Sequence, residues 1–229
     1  MTKVKYLLKW LGIAFVIGFI FIAAWYKFGR VFSFVDWAQY ESSFYLEPLI
    51  WLGIFVPFFL VMSMTSLVNH DQIIIRQKSR QLIFRSRVIK GSKDALLFVG
   101  IIGIWGLVRL PAIQITTKEL KTYMIVWGIQ LILAVIALIF MYLIMLTLHN
   151  WLNRIWLAGL ITSLLSIVFM SSDRLSIEFP WRYFYINGML GNWPNTTIML
   201  PYFMMMLWII MSIGVYLLGE SKAKLLRWY

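Results

Sequence analysis

The chain has 229 residues, of which 62% are apolar, 17% aromatic and only 13% charged, with a mean hydropathy of +0.82. Soluble domains carry about 45–50% apolar and about 25% charged residues, so this composition excludes a water-soluble globule. Lys and Arg outnumber Asp and Glu by 21 to nine, a formal net charge of +12, and the absence of cysteine removes disulfides, thiol catalysis and Cys-ligated metals.

A membrane-crossing helix needs about 20 apolar residues, because about 30 Å of hydrocarbon is traversed at about 1.5 Å per residue. Six stretches qualify: 6–26, 48–68, 95–115, 124–148, 155–171 and 198–219. The first follows Lys3, Lys5 and Lys9 and ends in Ala23-Ala24-Trp25-Tyr26, with no small-x-small cleavage site, so it reads as a retained span. The second carries Pro57 near its middle, where a kink is expected. The third holds Gly100, Gly103 and Gly106, which read as close-packing positions rather than a nucleotide loop, and Arg109. Arg109 lies about 21 Å along that span, so its stem either snorkels to the outer surface or faces a polar pathway. Gln130 shares that outer leaflet in the fourth span; intramembrane polar groups of this kind make Arg109 and Gln130 the candidates for a translocation pathway. The sixth span carries Met199, Met204, Met205, Met206 and Met211, an adaptable packing surface.

Orientation follows from the Lys/Arg bias of the short connections. With the N-terminus inside, the inner segments hold 14 Lys and Arg against three acidic residues, and the outer loops hold seven against six. The net charge is then +11 inside and +1 outside, which places both termini in the cytoplasm. Tryptophan favours the headgroup level. Trp10, Trp151, Trp156 and Trp228 fall at inner boundaries and Trp25, Trp51, Trp127 and Trp193 at outer ones, whereas Trp105 and Trp208 fall mid-span and should pack between helices.

Two connections are long. The cytoplasmic one, 69–94, has seven basic and two acidic residues interleaved with apolar ones. Ile75, Leu82, Ser86 and Ile89 fall near one helical face with Arg76, Arg80 and Arg87 displaced from it, which predicts a short amphipathic helix broken near Gly91. Such a helix suits anionic headgroups, or docking of a cytoplasmic protein whose acidic rim pairs with the arginines. The outer connection, 172–197, is too apolar for a free loop and too interrupted by Pro180, Gly188, Gly191 and Pro194 for one span. It reads as a pair of short re-entrant or interfacial helices.

No catalytic constellation is visible. The two histidines, His70 and His149, sit at cytoplasmic boundaries, outside any H-E-x-x-H arrangement. There is no G-x-S-x-G elbow, no Walker A motif and no pair of carboxylates within one span. The predicted fold class is therefore an all-α polytopic membrane protein with six transmembrane helices, a single domain over 1–229, located in the cell membrane. No metal site, catalytic residue or nucleic-acid partner is expected, and a membrane enzyme ranks last among the functions considered.

Six spans, inward termini, a basic cytoplasmic helix between spans two and three and a partly re-entrant segment between five and six resemble the permease subunits of type-2 ABC exporters. The resemblance is to the small bacterial kind associated with bacteriocin, lantibiotic or peptide export. In that family an acidic residue at the end of span two is followed by a Ser-Arg step and a basic residue leading into span three. Asp71 takes the acidic place, Ser79-Arg80 or Ser86-Arg87 the Ser-Arg step and Lys90 the last basic place. The family's usual glutamate is an aspartate here, and its proline before the Ser-Arg step is missing.

The resemblance implies a coupling helix with Asp71, Ile75, Arg76, Arg80, Leu82, Arg87 and Lys90 in contact with a cytoplasmic ABC ATPase subunit. It also implies no cofactor in this chain, with ATP and magnesium in that partner, a second permease subunit (copy or paralogue), membrane lipids as surroundings, and export of an amphipathic peptide or lipid-like substrate. The competing expectation is a stand-alone membrane protein, such as an immunity or scaffold subunit, whose basic connection serves only lipid.

Overall fold

The computed structural model describes residues 3–28, 51–74, 80–108, 116–174 and 199–225. These residues are almost wholly helical and contain no strand. In chain order the helices are α1 (Lys3–Phe28), α2 (Val56–Ile74), α3 (Arg80–Leu107), α4 (Thr117–Leu152), α5 (Ile155–Arg174) and α6 (Met199–Leu225). Long runs of Leu, Ile, Val, Met and Phe have no competing side-chain hydrogen bonds, and in an apolar surrounding a helix satisfies every backbone donor and acceptor within itself. The helical stretches Tyr6–Ala23, Trp127–Leu152 and Met206–Ala223 are long and apolar enough to cross a membrane, and Gly53–Thr65 and Ile155–Val168 are shorter apolar stretches.

A π-helical turn, Trp51–Phe55, stands immediately before α2, whose second residue is Pro57. Proline lacks the N–H for the helical ladder and its ring crowds the carbonyl four residues earlier, here that of Gly53 within the π turn. The change from α4 to α5 needs only Asn153 and Arg154. Asn153 takes the left-handed conformation, with φ of 53°, and its N–H bonds to the His149 carbonyl at 2.9 Å. That is the left-handed helix stop for which Asn ranks after Gly.

Paired contacts give the helix directions. Tyr6 meets Asp94 while Ala14 meets Trp105, so α1 and α3 run parallel. Tyr142 reaches Arg87 while Trp127 and Leu131 lie at Gly103, so α3 and α4 are antiparallel. Phe140 packs on Trp208, Thr147 bonds to Val215 and Asn150 to Gly219, so α4 and α6 are parallel. Helix α4 sits at the centre, in contact with α2, α3, α5 and α6, and α1 lies against α3. Phe98 is the aromatic focus of the core, with Phe55, Phe58 and Phe59 at 6.3, 5.9 and 5.5 Å.

The surface reverses the soluble rule. Phe15, Phe19, Ile104, Leu160, Val168, Ile210 and Leu218 are all exposed, and so are many neighbours on the same faces. Soluble monomers rarely expose contiguous apolar patches above a few hundred Å². The inward face of α5 carries small residues instead: Ala158, Gly159, Thr162 and Ser166. The two hydroxyls return to their own helix, Thr162 to the Ala158 carbonyl and Ser166 to the Ser163 carbonyl, both at 2.8 Å. An apolar exterior around helices of this length suits a membrane location.

Two expectations need correction. The connection 69–94 does not hold a separate short helix broken near Gly91: residues 69–74 continue α2, and 80–94 are the first half of α3, which passes through Gly91 without interruption. Gly91 is buried against the Tyr142 ring, and its small size serves the approach of α4 rather than a turn. Helix α3 is described to Leu107, and residues 109–115 of the third predicted span lie outside the described ones. Of the tryptophans assigned to boundaries, Trp151 and Trp156 are exposed, whereas Trp10 and Trp51 are buried in the bundle.

Candidate functional site

Polar contacts between helices concentrate at one end of the bundle. It contains the start of α1, the first half of α3, the end of α4 and the end of α6. This is the end predicted to be cytoplasmic, and α3 organises it. On its outer face Leu82, Arg85, Ser86, Ile89 and Lys93 are exposed, with Leu82 at 57% and Ile89 at 58%. On its inner face Phe84, Gly91 and Asp94 are buried and Arg87 is half-buried.

Three ties fix the base of α3. The first is to α6: Arg85 donates from Nη2 and Nε to Glu220 Oε1, at 2.6 and 3.0 Å, and the Gln81 amide donates to the same oxygen. Beside this cluster Phe84 packs on Tyr216 at 5.6 Å and against Gly219. The second is to α4: the Tyr142 hydroxyl donates to the Arg87 carbonyl at 3.1 Å. Helix α4 is in turn bonded to α6, through Thr147 Oγ1 to the Val215 carbonyl and Asn150 Nδ2 to the Gly219 carbonyl, both at 3.3 Å.

The third tie is to α1, where the Tyr6 hydroxyl donates to Asp94 Oδ1 at 3.1 Å. Burial pushes the Asp94 carboxyl above its ordinary range, opposed by the charges of Lys9 and Lys90 and the Tyr6 hydrogen bond. Burial likewise lowers the Lys90 ammonium, opposed by Asp94. Lys9 also reaches the Met62 carbonyl of α2 at 3.4 Å. Thus Asp94 sits between two lysines and a phenol where α1, α2 and α3 converge.

A part-open cavity of about 190 Å³ lies between α3, the end of α4 and α6. Ile83, Phe84, Arg87, His149, Asn150, Asn153 and Ala223 line it. Lys222, next in sequence to Ala223, has its ammonium 5.5 Å from the Trp151 ring, and the exposed Arg154 is next in sequence to Asn153.

The structure divides the predicted site residues. Leu82 lies on the exposed face of α3, as its helical phase requires, and Lys90 is half-buried beside Asp94. Arg87, expected among the docking cations, points inward and lines the cavity. Arg80 begins α3, Asp71 lies in the last part of α2 and Gln130 lies in α4, while the side chains of these three fall outside the described residues. Ile75, Arg76 and Arg109, and the connection 175–198, lie outside the described residues altogether. Of the glycines in α3, Gly103 packs on Leu131 and Trp127, and Gly100 faces open space. The described residues contain no cluster of three or more metal-ligating side chains.

Sequence reading missed Tyr6, Gln81, Tyr142, Asn150 and Glu220 as parts of one base. Glu220 carried the strongest available signal: it is the sole acidic residue in a basic C-terminal segment. No protein-family model matches the chain, and neither curated proteins nor solved structures give a significant match.

Proposed function

We propose that this chain is the transmembrane subunit of an ABC exporter for an amphipathic substrate, peptide or lipid-like. A separate cytoplasmic ATPase subunit would supply the hydrolysis, and a second permease subunit would complete the pathway. The chain would then cross the membrane six times, with both termini inside. The observation supporting this reading is the continuity of α3 from an exposed face bearing Leu82, Arg85 and Ile89 to its packing at Phe98. A partner that gripped that face would displace a single rigid element, and the ties to α1, α4 and α6 would pass the movement to the bundle. Leu82 and Ile89 supply apolar knobs, and the surrounding cations suit an acidic rim.

The test is copurification with an ATPase from gently solubilised membranes, followed by measurement of the ATPase rate with and without this chain. Reversing Arg76 and Arg80 to Glu should abolish stimulation while the protein stays inserted, and so should the pair Leu82→Glu and Ile89→Glu. Undiminished stimulation in both variants would refute the docking role of this segment.

A further inference from the structure

We infer that the cavity between α3, α4 and α6 binds the phosphate of an anionic lipid headgroup. It goes beyond the exporter reading, because it needs the membrane but no ATPase. Among the described residues lining the cavity none is acidic, and the polar ones are a guanidinium, an imidazole and two carboxamides. Arginine presents a planar fork of donors that matches phosphate oxygens, and Asn amides add neutral donors. One N–H of Asn150 donates to the Gly219 carbonyl, which holds the two-donor amide in place at the cavity wall.

Size and level point the same way. A cavity of about 190 Å³ far exceeds the roughly 10–15 Å³ that a single water needs, so it accommodates a tetrahedral oxyanion with some of its hydration. Exposed Trp151 and Trp156 flank the junction of α4 and α5 that carries Asn153, and Lys222 stands over Trp151. Exposed Trp and adjoining cations mark headgroup depth, where anionic lipid phosphates are concentrated. Ile83 and Phe84 give the cavity one apolar wall, which suits the glycerol side of a lipid better than a fully hydrated free anion.

The experiment is a titration of the purified full chain in a neutral detergent with phosphatidylglycerol, phosphatidylcholine or inorganic phosphate, read by thermal denaturation and by native mass spectrometry. Phosphatidylglycerol should bind saturably and raise the midpoint. Arg87→Gln should weaken that binding by about tenfold or more, the loss expected for a charge-assisted contact. Asn153→Gly keeps the left-handed stop and removes only the amide, so it tests the cavity even if the Arg87 variant unfolds, and should weaken binding several-fold. Arg154→Gln, outside the lining, should change it little. Equal responses to phosphatidylcholine and phosphatidylglycerol would overturn the inference. So would an inorganic phosphate effect as large as the lipid's, which assigns the site to a free anion, or unaltered binding in Asn153→Gly with loss in Arg154→Gln.

Discussion

Replacing Gly91 by Ala tests the central claim that α3 is one rigid helix seated on α4. A methyl group at this position would enter the Tyr142 ring, 2.5 Å from Cδ1 and closer still to Cε1 and Cζ. The ring cannot easily turn away: Tyr142 is 2% exposed, lies 6.2 Å from the Phe59 ring, and donates its hydroxyl to the Arg87 carbonyl. Overpacking of this kind costs about 1–3 kcal/mol, and loss of the hydroxyl bond adds about 0.5–1.5 kcal/mol. Against this, Ala is the better helix former by about 0.8–1 kcal/mol. The net is a destabilisation of about 0.5–3.7 kcal/mol. Gly100, in the same helix, faces open space, so Gly100→Ala keeps only the propensity gain and should be neutral to stabilising. The assay is the denaturation midpoint of the two purified variants beside wild type. Tyr142→Leu should then remove most of the Gly91→Ala penalty in a double-mutant cycle. If Gly91→Ala matches Gly100→Ala, or if Tyr142→Leu gives no relief, the seating of α3 on α4 is refuted.

Two further perturbations probe the other ties. Glu220→Gln removes the charge that holds Arg85 while keeping an amide of similar shape, so it should lower the midpoint, and the difference from wild type should shrink as salt is raised. A gap unaffected by salt would show that packing, not charge, holds α6 to α3. At Asp94 burial raises the carboxyl's folded-state value above the unfolded one, so the folded state holds its proton more tightly. The group's contribution therefore favours folding at acidic pH and is lost as pH rises from the unfolded value, 3.8, through the raised one. Wild type should gain stability relative to Asp94→Asn on acidification across that window. A relative gain in the opposite direction would mean that Lys9, Lys90 and Tyr6 outweigh burial.

Hydropathy made the helices legible because a long charge-free run has few other ways to satisfy its backbone. Among the described residues every predicted span overlaps a helix, and three of the helices are long and apolar enough to cross a membrane, while α3 begins 15 residues before its predicted span at 95. Trp105 and Trp208, placed mid-span, do pack between helices: Trp105 Nε1 bonds to the Ala14 carbonyl at 3.0 Å and Trp208 is fully buried against Phe140. Boundary position was a poorer guide for Trp10 and Trp51, because a ring at headgroup depth can face either lipid or a neighbouring helix.

The polar base was less legible for a related reason. Hydropathy averages over a window, and it set residues 80–94 apart from the third span, as part of a connection with its own short helix, because their cations dilute Leu82, Phe84, Val88 and Ile89. A helix that leaves the apolar layer and continues into the base has no composition boundary at its own end. Gly91 then looked like a breaker, whereas only the ring on the facing helix reveals why a residue without a Cβ belongs there. Arg87 illustrates the same limit. Its phase on the helix was correctly displaced from Leu82 and Ile89, but displacement from an exposed apolar face means solvent only when nothing packs on the other side. In α3 the other side is occupied by α4 and α6, so the arginine faces a cavity between helices rather than open solvent. Basic residues in this segment thus divide by helical phase, with Lys93 outward, Arg85 exposed but held by Glu220, and Arg87 inward. A partner docking on the outer face and a lipid phosphate in the inner cavity would press on opposite sides of one helix. The two proposals can therefore be separated by variants within one short stretch of α3, Leu82 and Ile89 reporting on the first and Arg87 on the second.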